Sequence, residues 1–263
     1  MRKRITAALL ALLLAGLGCG CGRSAGDEGP ELPVLVIGSD DYEPYNYLSE
    51  EGKFTGFDVE LAEEACRRMG YRPEFRHIVW EEKDELLESG ELDCLWGCFT
   101  MTGRETLYCW AGPYFTSRQM VAVRTESDVR SLADLAGLRV AVQATSKPEE
   151  LFLNRPTPGI PAVGKVYCFS TTTEIFTALR KGYADAAATH ESALRVFAAE
   201  ADGDIRILDE PLFISELGVA FTDTPEHAAL AQELTETLQA MEAEGFTAAA
   251  AEKYGLTAEV TAK

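Results

Sequence analysis

From Val34 onward the chain alternates short apolar runs with helical patterns, and it completes that cycle twice. VLVIGS (34–39) is a buried-strand run with turn residues on both sides. In FDVELAEEACRRMG (57–70), Val59, Ala62, Ala65, Cys66 and Met69 recur at three- and four-residue steps, with Asp58 placed to cap the start and Gly70 the end. EFRHIV (74–79) and LDCLWGC (92–98) read as strands around a short helix at 81–90. The second cycle runs through QMVAV (119–123), SLADLAG (131–137), RVAVQA (139–144), a helix near 147–153 and VYCFS (166–170). TTTEIFTALRKG (171–182) then carries a capping box, Thr171 with Glu174 three residues on. ADAAAT (184–189), a helix at 192–201, IRILD (205–209) and LGVAF (217–221) follow. Thr224-Pro225 opens a long helix, and a short one follows at 246–254.

This order predicts an α/β fold of two lobes, each a mostly parallel sheet flanked by helices. The stretches 111–121 and 212–220 are the expected crossings. Lobe one is then 34–115 plus 217–263, and lobe two is 116–216. Ligands in open α/β sheets sit at the carboxyl ends of strands, so the cleft between the lobes is the expected site.

The N-terminus reads differently. Met-Arg-Lys-Arg precedes an apolar run from Ile5 to Gly18, shorter than the about 20 residues that span a bilayer. A basic start with a short apolar core is an export signal, assigned to 1–18. Leu17-Gly18-Cys19-Gly20-Cys21 resembles a bacterial lipobox, with Cys19 the expected lipidation site and Cys21 the alternative. Gly16 stands where an aliphatic residue is usual. Residues 19–33 form a Gly/Pro/polar tether, so a lipid anchor would hold the domain at the outer face of the cytoplasmic membrane. No other segment is long and apolar enough to span, so neither a permease nor a transmembrane sensor is expected.

The formal charge is −19, from 24 Lys+Arg against 43 Asp+Glu. Such a surface repels a phosphate backbone, so nucleic acid is not an expected partner. Beyond residue 33 the cysteines are Cys66, Cys94, Cys98, Cys109 and Cys168. They lack metal-ligand spacing, and no metal or cofactor is expected. Small buried hydrophobic roles are expected for them, with a disulfide the alternative, and Cys94 and Cys98 are expected on one face of a strand.

Several motifs, in order, carry a family resemblance. Ile37-Gly38-Ser39-Asp40-Asp41-Tyr42-Glu43-Pro44-Tyr45 resembles an opening strand followed by a Y-x-P-aromatic turn. Gly56-Phe57-Asp58-Val59-Glu60-Leu61-Ala62 resembles G-F-D-x-D-L-A, and Ser89-Gly90-Glu91-Leu92-Asp93 resembles S-G-x-x-D. Thr100-Met101-Thr102-Gly103-Arg104 resembles a T-x-x-R loop, Gly112-Pro113-Tyr114 a hinge entry, and residues 134–142 the pattern D-L-x-G-x-x-V-x-V. Together they resemble the solute-binding proteins of ABC importers for polar amino acids, over about 33–256. The resemblance implies the two-lobed type II periplasmic-binding-protein fold and capture of a small polar solute. It also implies delivery to ABC permease subunits by a chain expected to be a monomer and not an enzyme.

A free amino acid brings a carboxylate and an ammonium, and burying either unpaired costs several kcal/mol. Arg104, in a Gly-containing loop after a strand, is the carboxylate candidate by chemistry and by resemblance; a surface pair with Glu105 is the alternative. Thr145 and Ser146, at a strand-to-helix junction, offer hydroxyls and backbone donors, or simply cap the helix. Tyr42 and Trp80 match the family's aromatic walls, with core packing the alternative. Thr100 and Thr102 are the polar residues nearest the family's ladder ahead of Arg104, although Met101 interrupts its spacing. Asp40 is placed to receive a ligand ammonium or to form a turn.

The departure lies at Gly182-Tyr183-Ala184-Asp185-Ala186-Ala187-Ala188-Thr189-His190-Glu191. Where the family places a second Asp for the α-ammonium, this chain has His190. A neutral imidazole supplies no negative charge. Either Glu191 supplies the carboxylate, or the ligand lacks a standard α-ammonium; simple packing of His190 between the lobes is the further alternative. The His190–Glu191 pair also keeps open a dehydratase-like enzyme, and a partner-based sensor is the third reading.

Overall fold

The computed structural model describes residues 32–154 and 158–256. The export segment, the 19–31 part of the tether and Cys19 lie outside the described residues. Among the described residues, no helix is long and apolar enough to cross a membrane.

Eight strands form one continuous path. β1 (Val34–Ser39) pairs in parallel with β4 (Arg72–His77) on one side and β5 (Cys94–Leu95) on the other. β7 (Arg139–Gln143) pairs in parallel with β8 (Lys165–Phe169) and β9 (Ala186–His190). Two antiparallel strands join these ends: β6 (Cys109–Arg124) and β11 (Phe213–Phe221). The order is β4-β1-β5-β11-β6-β9-β7-β8, with β10 (Ile205–Ile207) added against β6. A hairpin of β2 (Tyr47–Leu48) and β3 (Phe54–Thr55) stands apart. The mostly parallel pairing expected in each lobe therefore holds in the outer strands, and the centre is antiparallel.

Apolar periodicity explains the layers. In β6, Val121 and Val123 face one core with Val140 and Val142 of β7, while Met120 and Ala122 face a second core with Ala141. That is the two-residue alternation of a sheet covered on both sides. Helix α4 (Thr172–Arg180) buries Ile175, Ala178 and Leu179, one helical stripe, against the second core beside α5 (Glu191–Glu200). The β1 end is covered by α1 (Phe57–Met69), α6 (Pro225–Ala243) and α7 (Phe246–Lys253) around Phe57, Leu61, Trp96 and Phe221. Each such side chain contributes about 2 kcal/mol on burial.

The capping expectations at Thr171 and Thr224 hold: each hydroxyl accepts from the backbone N–H three residues on. Asp58 differs. Gly56 is the cap of α1, and Asp58 lies inside the helix, fully buried. Its Oδ2 accepts the backbone N–H of Cys98 at 2.6 Å. The expected strand 92–98 shrinks to two residues because the chain must turn there, with Cys98 at φ 49°. Cys94 and Cys98 therefore do not share a strand face. Cys66, Cys94 and Cys98 are buried as expected, but Cys109 is half-buried and Cys168 exposed. SLADLAG forms only a 3-10 turn, Leu132–Leu135.

Candidate functional site

The carboxyl ends of β1, β5, β7 and β9 converge on one cavity. Asp40 follows β1. It is nearly buried, its Oδ2 accepts from Gln143 Nε2 at 2.6 Å, and its carbonyl accepts from Asn46 Nδ2 at 2.5 Å. Burial pushes its carboxyl up to about 6, with the Gln143 bond pulling the other way. Tyr42, in the turn that follows, shares a short hydrogen bond with the Thr189 hydroxyl and accepts from the His190 N–H at 3.3 Å.

Trp80 opens a 3-10 turn (Trp80–Glu82) after β4 and stands edge-on to Phe99, 5.0 Å between centroids. Lys83, the first residue of α2 (Lys83–Glu88), holds its ammonium 5.3 Å from the Trp80 ring centre. Gly97 permits the close approach beneath: a Cβ there would lie 2.5 Å from Ser39 Oγ. Thr100 is buried and donates to Ser215 Oγ at 3.2 Å. The Arg104 guanidinium stacks 5.5 Å over Phe99 and donates from Nε to Glu150 Oε2 at 3.2 Å and from Nη2 to Thr145 O at 3.4 Å. It is not paired with Glu105, whose carboxylate accepts from Gly103 N instead.

His190 ends β9, where register sets it against Gln119 of β6. Gln119 Nε2 lies 2.7 Å from His190 Nε2, and His190 Nδ1 lies 2.9 Å from Ser117 Oγ. With the amide donating, Nδ1 carries the proton and bonds Ser117. Burial holds the imidazole down at about 3, so it is neutral near pH 7.

Of the residues expected at the site, Asp40, Tyr42, Trp80, Thr100, Arg104, Ser146 and His190 line this one cavity. Three do not. The Thr102 hydroxyl accepts from Glu216 N at 2.9 Å. Glu191 turns its carboxylate to Arg118 and Arg195, where two guanidiniums hold it outside the cavity. It therefore does not replace the missing Asp. Thr145 faces the adjoining outer groove, its N–H donating to Glu149 Oε2 and its hydroxyl accepting from Lys83. Ser146 reaches the wall, but its hydroxyl donates to Gln143 O at 2.6 Å while capping α3 (Lys147–Leu153). The capping alternative is thus the one the geometry uses.

Sequence reasoning missed Gln119, Gln143, Phe99, Thr189 and Lys147 as wall residues. Gln119 carried no local signal: it closes the polar run Thr116–Gln119 ahead of the apolar run Met120–Val123, and only the fold buries its amide, which then needs partners. Its Oε1 is buried without a protein partner. Lys147 reads as an ordinary helix-start residue; only the fold buries it.

Residues 34–257 match the profile of the bacterial extracellular solute-binding proteins, family 3. The chain is 30% identical over 169 residues to the L-cystine-binding protein TcyA of Bacillus subtilis, covering 59% of this chain and 63% of that one. It is 25% identical over 254 residues to the probable amino-acid-binding protein YxeM of Bacillus subtilis, covering 95% and 92%. Among solved structures it resembles an ancestral arginine-binding protein bound to arginine, with a TM-score of 0.76, 26% identity and coverage of 84% and 97%.

Proposed function

We propose that this chain, which belongs to the bacterial extracellular solute-binding proteins of family 3, captures an amino acid in the cavity around Arg104 and delivers it to the permease of an ABC importer. The observation that carries the reading is one wall with both signs of charge: a nearly buried guanidinium, Arg104, and a nearly buried carboxylate, Asp40, beside the rings of Tyr42 and Trp80. A zwitterion needs both charges met once water is removed. Arg104 would take the ligand carboxylate. Asp40 and the unpartnered Gln119 Oε1 would take the ammonium, since His190 brings no charge.

In this reading the lobes are 34–115 with 217–263, and 116–216, crossed by β6 and β11. Hydrogen bonds spanning the cavity, Asp40–Gln143 and Tyr42–Thr189, support closure over the ligand. The lipid anchor at Cys19, the outer face of the cytoplasmic membrane and the monomeric state belong to the same proposal. Catalysis is not part of it. Of the pair that suggested a general acid, His190 is deprotonated near pH 7 and Glu191 is held elsewhere.

A thermal-shift screen of the purified protein against the amino acids, polyamines and simple carboxylates tests this. Upward shifts with one or a few amino acids, lost in Arg104→Ala, are expected. No shift with any α-amino acid, but one with a carboxylate lacking the ammonium, would change the ligand class.

A further inference from the structure

The cavity holds more fixed charge than a carboxylate clamp needs. Arg104 and Lys147 both reach its wall, their side chains only 10% and 5% exposed. Asp40 is the one carboxylate on that wall among the described residues. Alone, these three groups would leave excess positive charge, and an anion would be favoured over a zwitterion.

Glu150 removes the excess. On α3, three residues beyond Lys147, it divides its carboxylate between the two cations. Oε1 accepts from Lys147 Nζ at 2.7 Å and Oε2 from Arg104 Nε at 3.2 Å. Glu150 itself lines the outer groove beside Leu107 and Leu153, not the inner wall. It therefore balances the cations from behind and leaves the inner wall to the ligand.

We propose that Glu150 is a specificity-determining residue that sets the preferred net charge of the ligand at zero by cancelling one of the two cations facing it. This rests on the amino-acid reading for the ammonium, whereas its charge logic applies to any carboxylate ligand. Glutamate or aspartate would bring a second carboxylate that Lys147 is placed to meet, were Glu150 not already there.

Titration calorimetry on the wild type and Glu150→Gln tests it with two near-isosteric pairs, glutamine with glutamate and asparagine with aspartate. Succinate, which has no ammonium, is the third probe. In E150Q the affinity ratio of glutamate to glutamine rises about tenfold or more, and succinate gains about as much. About 0.5 M salt shrinks both gains. Ratios within about twofold of wild type, with succinate bound equally by both proteins or by neither, overturn the proposal. If no amino acid binds either protein while succinate gains in E150Q, the amino-acid reading fails and the role of Glu150 stands. The double variant E150Q/K147M removes both charges together and returns the ratio to the wild-type value; failure to return it overturns the proposal equally.

Discussion

At the scale of single residues, the site depends on what an ionisable group does when water is taken away. Arg104 stays charged and planar, so it can meet a carboxylate with two parallel donors. Arg104→Lys keeps the charge and loses the fork. Ligand affinity is expected to fall about tenfold or more, about 1.4 kcal/mol, measured by calorimetry with the best ligand from the screen. His190 behaves oppositely, losing its charge on burial. Its native value lies below its unfolded one, so the unfolded chain binds the extra proton. Its stabilising contribution is present above pH 6.5 and is lost as pH falls towards 3, by up to about 1.4 kcal/mol per pH unit. The difference between wild type and His190→Asn in urea midpoint, followed from pH 7 to pH 4, should carry that slope. A difference that does not vary with pH would refute it. Arg104 was legible in its loop motif and His190 as a departure from one, because both are chemical identities. What Glu191 does was not legible. Its carboxylate is taken by Arg118 and Arg195, outside the cavity that the His190 ring lines.

At the scale of elements, site loops are held by helices that look purely structural. Asp58 lies in α1, yet its carboxylate fixes the Cys98 N–H at the cavity floor. Gly56 sets the entry of that helix at φ 127°, and a Cβ there would collide with the Tyr45 carbonyl oxygen. Gly56→Ala should therefore destabilise by about 1–3 kcal/mol in denaturant titration, because both backbone strain and a backbone clash oppose it. A loss below about 0.5 kcal/mol would mean the turn relaxes freely. Capping signals at Thr171 and Thr224 were legible because they act within a few residues. The lengths of β5 and β6 were not. Where a strand ends depends on its partner: β6 runs on past Gly112 and Pro113 because β11 pairs with it on both sides of the irregularity there, Val219 with Ala111 and Leu217 with Phe115.

At the scale of the whole molecule, buried acids and the buried histidine oppose one another in their pH dependence. Burial pushes Asp40 up to about 6 and Asp58 up to about 7. For each, the native state binds more protons than the unfolded chain above pH 3.8. Their contribution is thus favourable at low pH and is lost as pH rises through 6 and 7 respectively. Asp58→Asn removes one of these costs. Relative to wild type it should gain stability between pH 4 and pH 8, by an amount on the order of a few kcal/mol, read from urea midpoints. A constant difference across that range would show that Asp58 is ionised throughout. The acidic surface adds a smooth background that salt reduces, whereas these buried terms persist in high salt.

The sequence by itself determined the α/β order, the paired apolar faces and the loop that carries Arg104. These follow from periodicity and from residue chemistry, which act over a few positions. Only the tertiary structure decided which charges meet. Asp40 and Gln143 lie 103 positions apart, and Tyr42 and Thr189 lie 147 apart. No local pattern encodes such pairs, because they form only when separate strands end at one cavity and water is excluded between them. The same reason explains Lys147 and Glu150. Local spacing makes them an ordinary helix pair, and only the fold brings Arg104 to the same Glu150 carboxylate.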